Sequence, residues 1–179
     1  WLEFTTDIND VMHVYIDRRK KFLVTTLLRA IGYSSDADIL QRLDLIEEVD
    51  LKHASEDDLV GYRVAEDLFD KTTGEVLLDK YEDIVPGHIE RFKQLDLKMI
   101  KILRVDRLFG PEIISNTLKK DPTHSEAEAL DLIYQQMRSG EPPDIDTARQ
   151  LIERLFFNPK RYDLGEVGRH RLNKKLNLQ

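Results

Sequence analysis

Cysteine is absent from the 179 residues, which excludes a disulfide framework, a thiolate-ligated zinc or iron–sulfur site and a cysteine nucleophile. Long apolar runs are missing as well, and the longest cover only a few residues, so no segment is a candidate for a bilayer-spanning helix. The eight glycines are scattered and form no phosphate-cradling loop; Gly165-x-x-Gly168, beside basic residues, comes nearest to one. The five histidines (13, 53, 88, 124 and 170) lie apart, with no His-x-His and no His-Glu-x-x-His, so metal-ligand spacing is lacking. Carboxylates are abundant, but Glu47-Glu48 and Asp57-Asp58 are chain neighbours whose side chains need not converge. Asp70-Lys71-Thr72-Thr73-Gly74 lacks the alternating oxygen ligands of a calcium loop. The sequence therefore offers no catalytic residue and no metal site. It opens on Trp1 without a basic-plus-apolar leader, which sets the expectation of a segment cut from a longer chain and not of a secreted protein.

An overall excess of positive charge is also lacking, the formal net charge being -7. Its distribution is uneven. Residues 36–58 hold nine acids against Arg42 and Lys52, whereas residues 160–175 hold six Lys/Arg against Asp163 and Glu166. Asp17 is followed directly by Arg18, Arg19, Lys20 and Lys21. A nucleic-acid surface needs positive potential locally and not over the whole molecule. Either basic cluster can equally be a solvated face.

What is present is a sequence with 41% hydrophobic and 34% charged residues, enough to bury one core, or one core and a satellite. Leu2 and Phe4 alternate with Glu3 and Thr5, and Val14 and Ile16 with Tyr15 and Asp17, which predicts a β-hairpin with one buried face. A helix over 24–31 is stopped by Gly32, and Ser35 with Asp38 caps a second helix over 36–43. Residues 47–59 are acidic and poorly periodic, and read as a linker or a loosely packed helix. A strand at 61–65, a turn at 70–74, a strand at 75–78, a helix opened by Pro86 and a strand at 97–103 then form a small unit. Helices follow, one begun by Pro111 and ended at Asp121-Pro122, one with a Ser125–Glu128 capping box, and one capped by Asp146 and closed by Pro159. A last amphipathic segment runs over 164–176. The expected fold is α+β, a mainly helical lobe with an N-terminal β-hairpin. Residues 1–44 and 105–179 form the discontinuous lobe, interrupted by a small mixed β/α inserted domain at 45–104.

Two basic elements carry the candidate chemistry. Asp17, Arg18 and Arg19 sit where a strand pattern ends, a place that holds side chains more rigidly than a tail. An arginine fork there can meet phosphate or guanine, and an aspartate can accept from an exocyclic amine. Trp1 is a stacking plate if exposed and a core residue beside Phe4 if not. The second element joins Arg161 to Arg169, Arg171, Lys174 and Lys175, the last helix presenting Arg171 and Lys175 on one face.

Trp1-Leu2-Glu3-Phe4, Ile16-Asp17-Arg18-Arg19-Lys20-Lys21, Asp121-Pro122-Thr123, Met137-Arg138, Gly140-Glu141-Pro142-Pro143, Leu155-Phe156-Phe157 and Arg161-Tyr162-Asp163-Leu164, in this order and spacing, resemble the second lobe of the bacterial RNA polymerase β subunit. The resemblance covers both flanks and leaves out the middle, which is similar to a lineage-specific insertion. Leu23 stands where the family usually has proline. The resemblance implies a non-catalytic lobe lining the DNA cleft and contacting non-template and downstream DNA. Trp1 and Asp17 would meet single-stranded non-template bases, with Arg18, Arg19, Arg138 and Arg161 in or near the same surface. It implies partners in the β′ and other polymerase subunits, sigma factor, promoter and downstream DNA, and regulators at the insertion, with no membrane. The nucleotidyl-transferring Mg²⁺ belongs to β′, so the lobe has no cofactor and no activity alone, and its place is the cytoplasm, with the nucleoid. The alternative is an independent protein-interaction module without DNA contacts, whose two flanks would not share a core.

Overall fold

The structure is a computed structural model that describes residues 2–18, 20–104, 111–138, 144–161 and 163–178. It divides into two compact units, Trp1–Ala129 and Leu130–Gln179.

The first unit opens with an antiparallel sheet of β1 (Leu2–Thr6), β2 (Met12–Ile16) and β3 (Lys20–Leu23), in that order. Strand alternation puts Val14, Ile16 and Phe22 on the buried face. Phe4 pairs with Val14 in register but remains 56% exposed on the outer strand. The third strand is an addition to the expected hairpin; with only Phe22 buried, its four residues carry too little alternation to be read. Leu23, in extended conformation, leads directly into α1 (Val24–Ala30). That helix ends where Gly32 takes φ 115°, a region that side chains rarely adopt. α2 (Asp36–Arg42) carries the expected capping box, with Ser35 and Asp38 each accepting the other's backbone N–H.

Residues 47–59 correct the linker reading. They hold most of strand β4 (Ile46–Asp50) and a short helix, α3 (Glu56–Leu59), capped by Ser55. The ribbon of β5 (Leu68–Phe69) and β6 (Val76–Leu78) follows, turned at Asp70, whose carboxylate accepts the Thr72 N–H at 2.7 Å. α4 (His88–Gln94) then leads to β7 (Met99–Leu103), antiparallel to β4. Residues 61–65 make only isolated bridges, Arg63 to Asp83 and Val64 to Ile102, in place of the expected strand. Leu51, Leu59, Val64, Leu68, Leu77, Ile84, Ile89, Phe92, Leu97, Ile100 and Ile102 close into one core drawn entirely from this stretch. A second core joins its Ala65, Tyr81 and Leu103 to Ile39, Leu40 and Leu45, and to Ile114 and Leu118 of α5 (Pro111–Lys120).

A polar network crosses the same region. Asp36 accepts from Arg29, from Lys80 Nζ at 2.7 Å and from Tyr81 Oη at 2.8 Å. Arg63 reaches Ser115 Oγ at 2.8 Å and Asn116 Oδ1 at 3.0 Å. Asp121, fully enclosed after α5, accepts from the hydroxyls of Thr25 (2.5 Å), Thr26 (3.1 Å) and Thr123 (2.6 Å). Both carboxylates are thereby partnered, as burial demands.

α6 (Glu126–Met137) starts with Ser125 Oγ accepting the Glu128 N–H; Glu128 in turn accepts from the His124 N–H, one residue earlier than a standard capping box. In the second unit, α7 (Ile145–Phe156) buries Ala148, Leu151 and Ile152. Its cap is Asp144, which accepts the Asp146 N–H at 3.0 Å, so the cap lies two residues before the expected Asp146. α8 (Glu166–Leu176) forms over the expected amphipathic segment, yet none of its residues is buried.

Candidate nucleic-acid interface

Asp17 and Arg18 turn the chain from β2 into β3. Ile16 pairs with Lys20 across the turn, and both turn residues have left-handed backbones, φ 52° and 59°. Left-handed residues are common in short hairpin connections, where they match the twist of the flanking strands. For arginine this conformation is costly, by about 1 kcal/mol or more. Both side chains are exposed. Behind them Lys21 Nζ lies 6.0 Å from the centre of the Tyr15 ring, and the two residues are cross-strand partners. The turn thus projects an acid and a guanidinium from a fixed backbone and not from a tail. Trp1 and Arg19 lie outside the described residues.

Arg138 and Arg161 belong to the second unit. Arg138 lines a cleft of about 670 Å³ together with Tyr134, Arg154, Phe157 and Asn158. Two guanidiniums and two aromatic rings around one cleft supply charge for phosphate and flat faces for bases. Glu153 lies on the same wall and reduces the positive potential. Arg161 is exposed in the turn after α7, where its N–H donates to Asn158 O at 3.0 Å. Arg169 is engaged locally, through an ion pair to Asp163 and a 3.0 Å bond to Leu164 O. It holds the start of α8 while remaining exposed itself, as are Arg171, Lys174 and Lys175 further along that helix.

Asp17 and Arg18 are brought together by one turn, while Arg138 lines the cleft together with Asn158, the residue whose carbonyl accepts the Arg161 N–H. Arg154 and Phe157 escaped the sequence reading. Their signal was positional, because both fall off the Ala148–Leu151–Ile152 face that α7 buries. The tetrad Gly140-Glu141-Pro142-Pro143 lies outside the described residues.

Electrostatics elsewhere are structural. Burial would raise the Asp36 carboxyl, but hydrogen bonds from Arg29, Lys80 and Tyr81 outweigh it and hold the pKa at about 2. Burial, then the Asp36 charge, pushes the Tyr81 phenol up, which keeps it a donor. Burial and then Lys21 hold His13 below its ordinary value. Among the described residues no three His, Asp or Glu converge as metal ligands, and no helix is long and apolar enough to cross a membrane.

The profile of the family described as RNA polymerase Rpb2, domain 2, matches residues 97–179. The DNA-directed RNA polymerase subunit beta of Christiangramia forsetii is 47% identical over 195 residues, covering 99% of this chain. Those of Chlorobium luteolum and Porphyromonas gingivalis are each 46% identical, over 100% and 99% of it. The chain is thus similar, over nearly its whole length, to a segment of bacterial RNA polymerase β subunits. It spans only about 14–15% of the length of these curated relatives. The similarity to β subunits covers 99% of the chain and so includes residues 45–104, whereas the domain match begins only at residue 97. It therefore takes in the Asp17–Arg18 turn and the arginine-lined cleft alike.

Proposed function

We propose that the chain forms a DNA-facing, non-catalytic lobe of a bacterial RNA polymerase β subunit. The observation that carries this reading is similarity to β subunits across 99% of the chain at 47% identity. The exposed Asp17–Arg18 turn and the cleft at Arg138 support it as places where DNA is met. Arginines contact phosphates and hold the strand in register, which contributes salt-dependent affinity. Asp17 accepts from the exocyclic amine of a non-template base and rejects a base that presents an acceptor, and Trp1 stacks on its neighbour. Arg19 and Arg161 are further basic residues for phosphate contact in this reading. The whole enzyme transfers nucleotidyl groups with Mg²⁺ held by β′; its other subunits, sigma factor and promoter and downstream DNA are the partners, in the cytoplasm. Segment 45–104, with its own apolar core, is an insertion that docks regulators.

In polymerase reconstituted with the full subunit, Trp1→Ala and Asp17→Ala are expected to change open-complex lifetime or base preference near the start site by several-fold. Lifetimes and footprints equal to the parent enzyme in both variants would remove the base-reading role.

A further inference from the structure

The sheet made by β4 and β7 is closed on one side and open on the other. On the β7 side, the Ala65 N–H donates to Lys101 O and the Leu103 N–H to Arg63 O, each at 2.8 Å. On the β4 side the bonding phase decides which groups face outward. Leu51 N–H donates to Lys98 O at 2.9 Å and Arg104 N–H to Leu45 O at 2.8 Å, with Glu47 opposite Ile102 and Val49 opposite Ile100. Antiparallel pairs alternate, so the odd-numbered residues of β4 bond to β7, and Ile46, Glu48 and Asp50 turn their backbone groups away from it. The Asp50 carbonyl is taken by the His53 and Ala54 N–H groups. The N–H and C=O of Ile46 and Glu48 remain as a hydrogen-bonding edge, and β7 is the one strand that β4 pairs with among the described residues.

We propose that β4 receives an extended basic polypeptide segment as an added strand. This sharpens, and in its choice of face rests on, the docking role proposed for segment 45–104. The edge supplies backbone bonds, and the side chains set the partner's sign. Glu47 and Glu48 are exposed, and among the described residues neither is held in an ion pair. Clefts of about 550 and 390 Å³ are lined in part by the strand; Glu48 lines both, joined in the first by Asp44 and Asp67, with Lys80 and Lys101 there already paired to Asp36 and Glu66, and in the second by Asp58. An acidic residue opposite this strand is repelled and a lysine or arginine attracted, while half-buried Ile46 and Val49 accept apolar neighbours between the charges. Edge pairing to a second copy of β4 would set glutamate against glutamate, which disfavours self-association.

The test uses the 179-residue protein and a peptide that alternates lysine and valine, with binding read by fluorescence anisotropy at physiological salt. A twin peptide, N-methylated at alternate backbone nitrogens, keeps every charge and side chain but loses its donors. Strand addition predicts that the twin binds at least about tenfold more weakly. Glu48→Pro removes an outward N–H without touching the β7 ladder, and is expected to weaken the unmodified peptide by a similar factor, with Glu48→Gln in between. Equal binding of the two peptides to the wild-type protein, or no binding of either, overturns the proposal whether or not the proline variant folds. That failure would leave the polymerase reading, and docking through another face of the segment, untouched.

Discussion

Asp36 receives a guanidinium, an ammonium and a phenol on one carboxylate. Two of those partners come from segment 45–104 and the third, Arg29, is 1% exposed in α1, so removing the charge leaves a buried cation short of its counterion. Asp121, 3.6 Å from Arg29 Nε, offsets part of the loss. Asp36→Asn is therefore expected to cost about 2–3 kcal/mol at neutral pH, read by urea denaturation. The pH dependence follows from the sign of the shift. The folded pKa of about 2 lies below the ordinary 3.8, so the contribution is complete above that ordinary value and is lost as pH falls towards about 2. The stability gap between wild type and variant should be level from about pH 7 to 5 and close below about 4; a gap that persists undiminished at low pH would contradict the assignment. Arg18 poses the opposite case. Its φ of 59° is strained, so Arg18→Gly should leave stability unchanged or raise it by about 0.5–1 kcal/mol while weakening DNA retention. A variant that melts lower and retains DNA normally would show Arg18 to be a structural residue.

At the scale of elements, legibility followed local side-chain signatures. Ser35 and Asp38 announced α2, Asp70 through Gly74 announced the turn, and the spacing of Ala148, Leu151 and Ile152 announced α7, because each leaves a local signature. β4 left none: it is an edge strand with no fully buried residue, so Ile46-Glu47-Glu48-Val49-Asp50 need not alternate and its acids read as a linker. The cap of α7 was misplaced because Asp144 and Asp146 are both competent, and the backbone N–H of Asp146 decides for Asp144. The α8 pattern was correct, but a pattern does not say whether the apolar stripe is covered; Leu176 is 56% exposed. The β4–β7 pair also defines how segment 45–104 can be removed. The Leu51 N–H donates to Lys98 O one step beyond the Asp50–Met99 pair, so deleting 52–97 and joining Leu51 to Lys98 by Asn-Gly closes a hairpin in register on a hydrogen-bonded pair. The truncated chain is expected to melt cooperatively but at lower temperature, since Tyr81 and Ala65 leave the second core and Arg63 leaves α5. Loss of the cooperative transition would count against an insertion.

On the scale of the whole molecule, the net charge of -7 conceals separate positive features: the Arg18 turn in the first unit, and Arg138, Arg154, Arg161 and the basic residues of α8 in the second. The nine acids of residues 36–58 lie mostly on α2, β4 and α3, apart in sequence from each of these. The proposed DNA-facing role came from family resemblance alone, because scattered arginines leave no spacing signal, and Arg154 and Phe157 joined Arg138 at one cleft only in the structure. In the proposed role the second unit contributes phosphate contacts, which composition alone would deny. The direct measurement is the lifetime of open complexes formed by reconstituted polymerase between about 50 and 200 mM salt, for the parent enzyme and Arg161→Ala. Loss of one phosphate contact should shorten the lifetime and lower the slope of log affinity against log salt by about 0.9. Superimposable lifetimes and slopes for the two enzymes across the whole range would contradict a DNA-facing lobe.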